Sequence, residues 1–273
     1  MNIGNSKKEI TVAGIKLVAY ITMFIDHFAS IMVEKYVIIH GGSVSESNLC
    51  SLLRAIGRLA FPLFCFLLVE GMEKSRNRLR YLGQLLLMAI VSEPFFDYSL
   101  YDVWWDPNHQ NVCVLLFVGG CLLLLDDYYD KKVKKKWLRW GLLILSIVAA
   151  MAITYILKTD YSLVGIGVII AIKYIRPLIK KDIFYAIILM MAIVYLCYLT
   201  KYFIKYPKHR QSGIEWKWYL KNAWTLQMLE PTALFLVDIY NGKKGNTLPK
   251  IFYYSFYPLH LIVIKLVTLA IFG

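Results

Sequence analysis

The chain is predicted to be an all-α membrane protein, a polytopic bundle of about nine transmembrane helices. Its 273 residues are 59% hydrophobic with a mean hydropathy of +0.54, where a soluble domain is roughly 45–50% apolar. The apolar residues gather in runs near the ~20 residues a helix needs to cross hydrocarbon. The Lys and Arg residues that raise the net charge to +13 fall mostly in short links between runs. That placement fits anionic lipid and the positive-inside effect rather than nucleic acid.

The runs follow in order. The first, residues 11–33, carries Lys16, Asp26 and His27, and a polar loop over 34–47 leads to the second, 52–71. The basic link EKSRNRLR precedes the third run, 81–96, which holds Glu93-Pro94. A Trp-bearing polar loop over 97–110 opens the fourth, 111–125, and the link DDYYDKKVKKKWLR follows it. The fifth and sixth, 140–157 and 162–175, flank a four-residue turn, and RPLIKKD separates the sixth from the seventh, 183–199. Residues 200–222 mix Trp216, Trp218 and Tyr219 with lysines, as an interfacial amphipathic helix would. The eighth run, 223–240, is broken by Glu230-Pro231, and the ninth is 251–272. With no internal repeat and no second soluble domain, residues 1–273 read as one integral membrane domain. The polar start MNIGNSKKEI and the charges inside the first run argue against a cleaved signal peptide. Five Cys without a CxxC pair suggest small buried hydrophobes, with neither a disulfide framework nor a metal site.

The basic links after the second, fourth, sixth and eighth runs lie on one side, with the N-terminal tail. The positive-inside rule then predicts a cytoplasmic N-terminus, in a multi-pass protein of the inner or plasma membrane. In that topology Asp26, His27, Arg54, Arg58, Glu93, Asn111, Asp160 and Tyr161 converge on the outer leaflet from five helices. Charges inside membranes face bundle interiors or water-filled cavities, so a polar cavity is expected there.

The second run, LLRAIGRLAFPLFCFLLVEG, organises the rest. Arg54 and Arg58 sit four apart within it, each costing roughly 3 kcal/mol at mid-bilayer on insertion scales. Each needs a carboxylate such as Asp26 or Glu93, a carbonyl, or an anionic ligand. His27 can act as a general base with a carboxylate nearby. The alternative is that Asp26 pairs with an arginine and His27 bonds a carbonyl. Glu93-Pro94 suits a helix kink, and Asp160-Tyr161 suits an N-terminal cap as well as a site. His260, inside the last run, is a candidate to line the same cavity. Asn241, Gly242, Lys243 and Lys244 form a Gly- and Lys-bearing link that fits phosphate binding and an ordinary turn alike.

These stretches resemble the TraX family of membrane proteins. IKLVAYITMFIDHFASI, LLRAIGRLAFPLFCFLLVEG, RNRLRYLGQLLLMAIVSEPFFD, NVCVLLFVGG, TDYSLVGIGV, DIYNGKKG and IFYYSFYPLHLIVI carry the resemblance in the expected order. The family is itself distantly similar to the acyltransferase-3 membrane superfamily, which places a His in its first helix, paired arginines soon after and a late His. The resemblance implies acyl transfer, with acetyl-CoA or another acyl-CoA as donor and no metal. The acceptor implied is a pilin-like peptide amine, or else a glycan or lipid hydroxyl, at the outer face. His27 would be the base, Asp26 its orienting or balancing charge, and Arg54 or Arg58 the oxyanion partner, with Glu93 holding the site and His260 beside it. Asn111, Asp160, Tyr161 and Tyr257 would meet the acceptor, and residues 241–244 the donor. A transporter, whose intramembrane charges mark a path, and a non-enzymatic scaffold for pilus or conjugation machinery are the alternatives.

Overall fold

A computed structural model describes residues 9–205 and 229–272 of the chain. Every regular element among them is helical, and they group into nine helical units. Seven of these units are long and apolar enough to cross a membrane.

The first unit is longer than the hydropathy run suggests. Thr11 caps α1 (Val12–Phe28), a π-helical turn covers Ala29–Val33, and α2 (Glu34–Ile39) continues without a break in the chain path. The polar loop expected over 34–47 is therefore mostly helix. Only a tight turn separates α2 from α3 (Val44–Gly57), whose start is fixed by a reciprocal Ser43–Glu46 capping box. Charged residues mislead here because an exposed helix end tolerates them.

The second unit breaks at residues 58–59, between α3 and α4 (Ala60–Lys74). Pro62 explains the break. It has no N–H for the Arg58 carbonyl four residues back, and its ring would strike that carbonyl in a continuous helix. Arg54 and Arg58 thus lie in the last turn and C-cap of α3 rather than in the first turns of one long helix.

The remaining elements are α5 (Arg78–Tyr101), α6 (Val112–Lys132), α7 (Lys136–Ile156), α8 (Ser162–Ile179) and α9 (Ile183–Lys205). A 3-10 turn, Glu230–Ala233, then runs into the short α10 (Leu234–Asp238), and α11 (Lys250–Phe272) ends the fold. Helix α5 carries Pro94 in its interior yet extends to Tyr101, past the end expected at residue 96. Helix α6 absorbs much of the basic link after the fourth run, and α8 runs through Pro177. The interfacial segment expected over 200–222 lies outside the described residues beyond 205, as does 223–228 of the eighth run.

Helices α4 and α8 form the centre, where Phe61, Leu63, Phe66, Leu115, Val164 and Ile169 are closed off from the surface. Helices α7 and α9 turn Ile144, Leu145, Ile188 and Leu196 outward, as a lipid-facing perimeter does. The two ends of the bundle differ. At one, ion pairs join Glu70 to Arg176, Lys173 to Asp126 and Asp127, and Arg78 to Asp127. We call this the basic end. At the opposite, polar end, the loop after α5 pairs with the turn before α8 through Asp160 N–H to Gln110 O, 2.9 Å.

Candidate functional site

Two histidines from distant parts of the chain meet inside the bundle. His27 Nδ1 lies 2.6 Å from His260 Nε2, and His260 Nδ1 lies 2.7 Å from the Phe256 carbonyl. A carbonyl only accepts, so His260 Nδ1 carries its proton and donates it to Phe256. In a neutral His260 the Nε2 then accepts, so His27 Nδ1 is the donor. The lone pair of His27 is thereby left on Nε2. His27 sits 15 residues into the first unit, about 22 Å from the start of α1 at 1.5 Å per residue, so this chain of bonds lies deep between the two ends.

Asp26 is engaged elsewhere. Its Oδ2 accepts from Arg54 Nη1 at 2.9 Å, while Oδ1 is buried without a hydrogen-bond partner among the described residues. The approach depends on Gly57, since a Cβ built there would fall 2.3 Å from Asp26 Cβ and 2.5 Å from Oδ1. In the sequence the signal for this approach is the glycine between the two arginines.

Arg58 turns the other way. Its Nη1 donates to Tyr161 Oη at 3.2 Å, and its Nε is buried with no partner among the described residues. Tyr161 stacks on Phe61 with ring centroids 3.8 Å apart and planes 9° from parallel. Tyr161 and Ser162 both have left-handed backbones, φ 59° and 48°, and Lys158 in the same turn has φ 53°. For non-glycine residues that conformation costs on the order of 1 kcal/mol each.

The two arginines therefore have different partners, and neither pairs with Glu93. Glu93 Oε2 instead accepts from the backbone N–H of Asn111 at 3.2 Å and from its Nδ2. Asn111 Nδ2 also donates to Ala89 O, and its Oδ1 caps α6 by accepting from Cys113 N–H. Both residues are buried, and together they clamp α5 to the start of α6. Asp160 does not cap α8; its Oδ1 accepts from the Tyr161 N–H at 3.0 Å.

Three cavities meet around these groups. A chamber of about 40 Å³ is lined by Asp26, His27, Gly57, Phe64, Tyr161 and Tyr257, with Asp160 at its edge. A vestibule of about 530 Å³ at the polar end also reaches Asp160 and Tyr161, and His109 and Gln110 lie on its rim. In the loop beneath, the hydrogen bond from His109 and the Asn108 N–H hold the Asp106 carboxyl below the ordinary carboxylate range. From the basic end, a groove of about 240 Å³ lined by Lys16, Tyr20, Gln84 and Tyr254 ends on Phe64, which is also a wall of the chamber.

Residues 241–244 lie at the basic end with their carbonyls turned inward. Lys243 O and Lys244 O accept from Val12 N–H and Ala13 N–H, both at 3.0 Å, and so cap α1. Asn241 Oδ1 accepts from the Lys243 N–H, and Gly242 O from Lys74 Nζ. The backbone here serves α1 rather than forming an open nest of amides, which leaves the exposed Lys243 and Lys244 side chains as the loop's positive charge.

Comparison with known proteins gives the family. The family model described as TraX protein matches residues 11–268. The chain belongs to the TraX family. It is also 36% identical over 86 residues to the probable fimbrial assembly protein FimC, serogroup H1, of Dichelobacter nodosus. That stretch covers 32% of this chain and 31% of the length of the relative. No solved structure matches.

Among the site residues read from the sequence, His27, Asp26, Asp160, Tyr161 and Tyr257 line one chamber, with His260 bonded to His27. Arg54 and Arg58 hold two of its members. Glu93 and Asn111 support it from α5 and α6, and residues 241–244 are remote from it.

Proposed function

We propose that this protein is an integral membrane acyltransferase that moves an acyl group, acetyl in the first instance, from an acyl-CoA to an amine or hydroxyl. The observation that carries the reading is the His27–His260–Phe256 chain. It presents a histidine lone pair at Nε2 in a chamber that both a vestibule and a groove approach.

In this reading the acceptor comes through the vestibule past Asp160 and Tyr161. The thioester arm comes along the groove to Phe64, after Lys243, Lys244 and Lys16 have drawn the donor phosphates by charge. His27 Nε2 takes the proton from the acceptor N–H or O–H as that atom attacks the thioester carbonyl. The thiolate leaves and recovers the proton as free CoA thiol. His260 is the positioning residue that fixes the tautomer of His27. Arg58 is better placed than Arg54 to meet the oxyanion, because Arg54 is committed to Asp26 whereas the Nε of Arg58 has no partner among the described residues. No step calls on a metal.

The concentration of basic residues at one end supports placing that end and the N-terminus in the cytoplasm, and the vestibule outside. The family and the fimbrial assembly relative support a role in pilus or conjugation machinery, with a pilin-like peptide amine as first acceptor to try. A carrier is the second reading, since the vestibule and groove approach one chamber from opposite ends. The test is to give the purified protein in nanodiscs labelled acetyl-CoA and a membrane extract, and to identify any labelled product by mass. Transfer by the wild type, reduced about a hundredfold or more in His27→Ala, is the expected result. Absence of both donor binding and transfer in a folded sample would favour the carrier or a scaffold.

A further inference from the structure

We propose that a second cavity at the polar end binds a zwitterionic phospholipid headgroup of the phosphoethanolamine class. The proposal does not depend on the acyl-transfer reading. The cavity measures about 450 Å³ and lies between the π-helical turn and α2 on one side and the end of α5 and α11 on the other.

Its chemistry centres on Lys265. This lysine sits in the apolar α11 and is 3% exposed, yet its ion-pair partner, 2.5 Å away, is Asp102, whose side chain is 71% exposed. Asp102 ends α5 in a left-handed conformation with φ 61°. Ser99, on the same wall, has a buried Oγ with no hydrogen-bond partner among the described residues. A buried ammonium has three donors to place, and a water-facing carboxylate satisfies them poorly. A ligand oxygen between Lys265 and Ser99 would satisfy both.

The charges facing the cavity select the ligand. Glu34 and Lys35 from α2 join Asp102 and Lys265, and the four formal charges sum to zero. A simple anion meets two carboxylates there, and a simple cation meets two ammonium groups. A molecule carrying both signs has its phosphate on Lys265, Ser99 and Lys35 and its ammonium on Glu34. Depth favours a lipid as the source. Lys265 is paired with Asp102, which ends α5 at the polar end, where the acyl region gives way to headgroups. Ile38 and Leu266 nearby are 72% and 55% exposed and offer acyl-chain contact. π-helical turns recur at functional sites, and this one lines the cavity through Ser30 and Ile31.

The experiment is native mass spectrometry of the full chain released from nanodiscs of phosphatidylethanolamine, phosphatidylcholine or phosphatidylglycerol. One phosphatidylethanolamine per chain should be retained, and phosphatidylcholine at least about tenfold less, because a quaternary ammonium has no N–H for Glu34. Lys265→Met should abolish that retention, and Glu34→Gln should erase the discrimination against choline. Ser99→Ala, which changes little in packing, keeps the test decisive if Lys265→Met fails to insert, and should lower retention. Equal retention of all three lipids, or full retention by both Lys265→Met and Ser99→Ala, would overturn the proposal. So would displacement of the lipid by free phosphoethanolamine, since the occupant would then be a soluble zwitterion.

Discussion

At the residue scale, the site works by assigning one partner to each charge. Asp26 belongs to Arg54, Arg58 to Tyr161, and His27 to His260. General-base catalysis is worth about 10²–10⁴-fold, so His27→Ala should reduce acyl transfer by that order with insertion unchanged. His260→Ala removes only the hold on the tautomer. It should cost less, and His260→Gln, which can again accept from His27 Nδ1, should recover part of the loss; equal, unrescued losses would contradict the positioning role. Gly57 gives a sharper test, because a methyl group there collides with Asp26 at its Cβ and carboxylate. Overpacking costs about 1–3 kcal/mol of stability, and by pushing Asp26 aside Gly57→Ala should lower acyl transfer while the protein still inserts. Wild-type turnover by this variant would show that the position of Asp26 does not matter. Glu93 and Asn111 act on stability. Asn111→Ala strands a buried carboxylate and leaves α6 uncapped, for a loss of about 2–3 kcal/mol, to be read from the shift in thermal unfolding in detergent.

At the element scale, the break between α3 and α4 turns one hydrophobic run into a site. With Pro62→Ala, the Arg58 carbonyl gains a potential donor and the helix can run through. Arg58 should then leave Tyr161, with loss of transfer but without loss of helicity by circular dichroism. Retained activity would separate the break from the chemistry. The Tyr161 turn is the complementary element. The chamber is far smaller than the vestibule, about 40 against 530 Å³, and Tyr161 and Phe64 are among its walls, so a shift of either side chain would widen the way in. Much of this was legible in the sequence. The nine units, their order and the convergence of His27, Asp26, Asp160 and Tyr161 follow from run lengths and polar positions alone. What was not legible were the contacts between units. Hydropathy cannot distinguish a polar loop from the capped start of α3, nor tell that Glu93 would face Asn111 instead of an arginine. The histidine pair joins positions 233 apart in sequence. The signal for the helix break, Pro62 four residues after Arg58, was present and is local chemistry.

At the scale of the whole molecule, the bundle has a basic end fastened by ion pairs and a polar end that opens into the vestibule. Orientation can be checked with single cysteines at Arg76 and Pro107, in a background where the half-buried Cys50 and Cys121 are serine. Position 107 should react with an impermeant maleimide in intact cells, and position 76 only after permeabilisation; the reverse pattern would put the vestibule in the cytoplasm. The most direct measurement is the rate of labelled acetyl transfer in nanodiscs by the wild type and by His27→Ala, with acetyl-CoA binding measured on both. Transfer by the wild type, a loss of about a hundredfold or more in the variant, and unchanged donor affinity are the expected results. Equal transfer by wild type and variant would remove His27 as the base, and with it the chemistry assigned to the chamber.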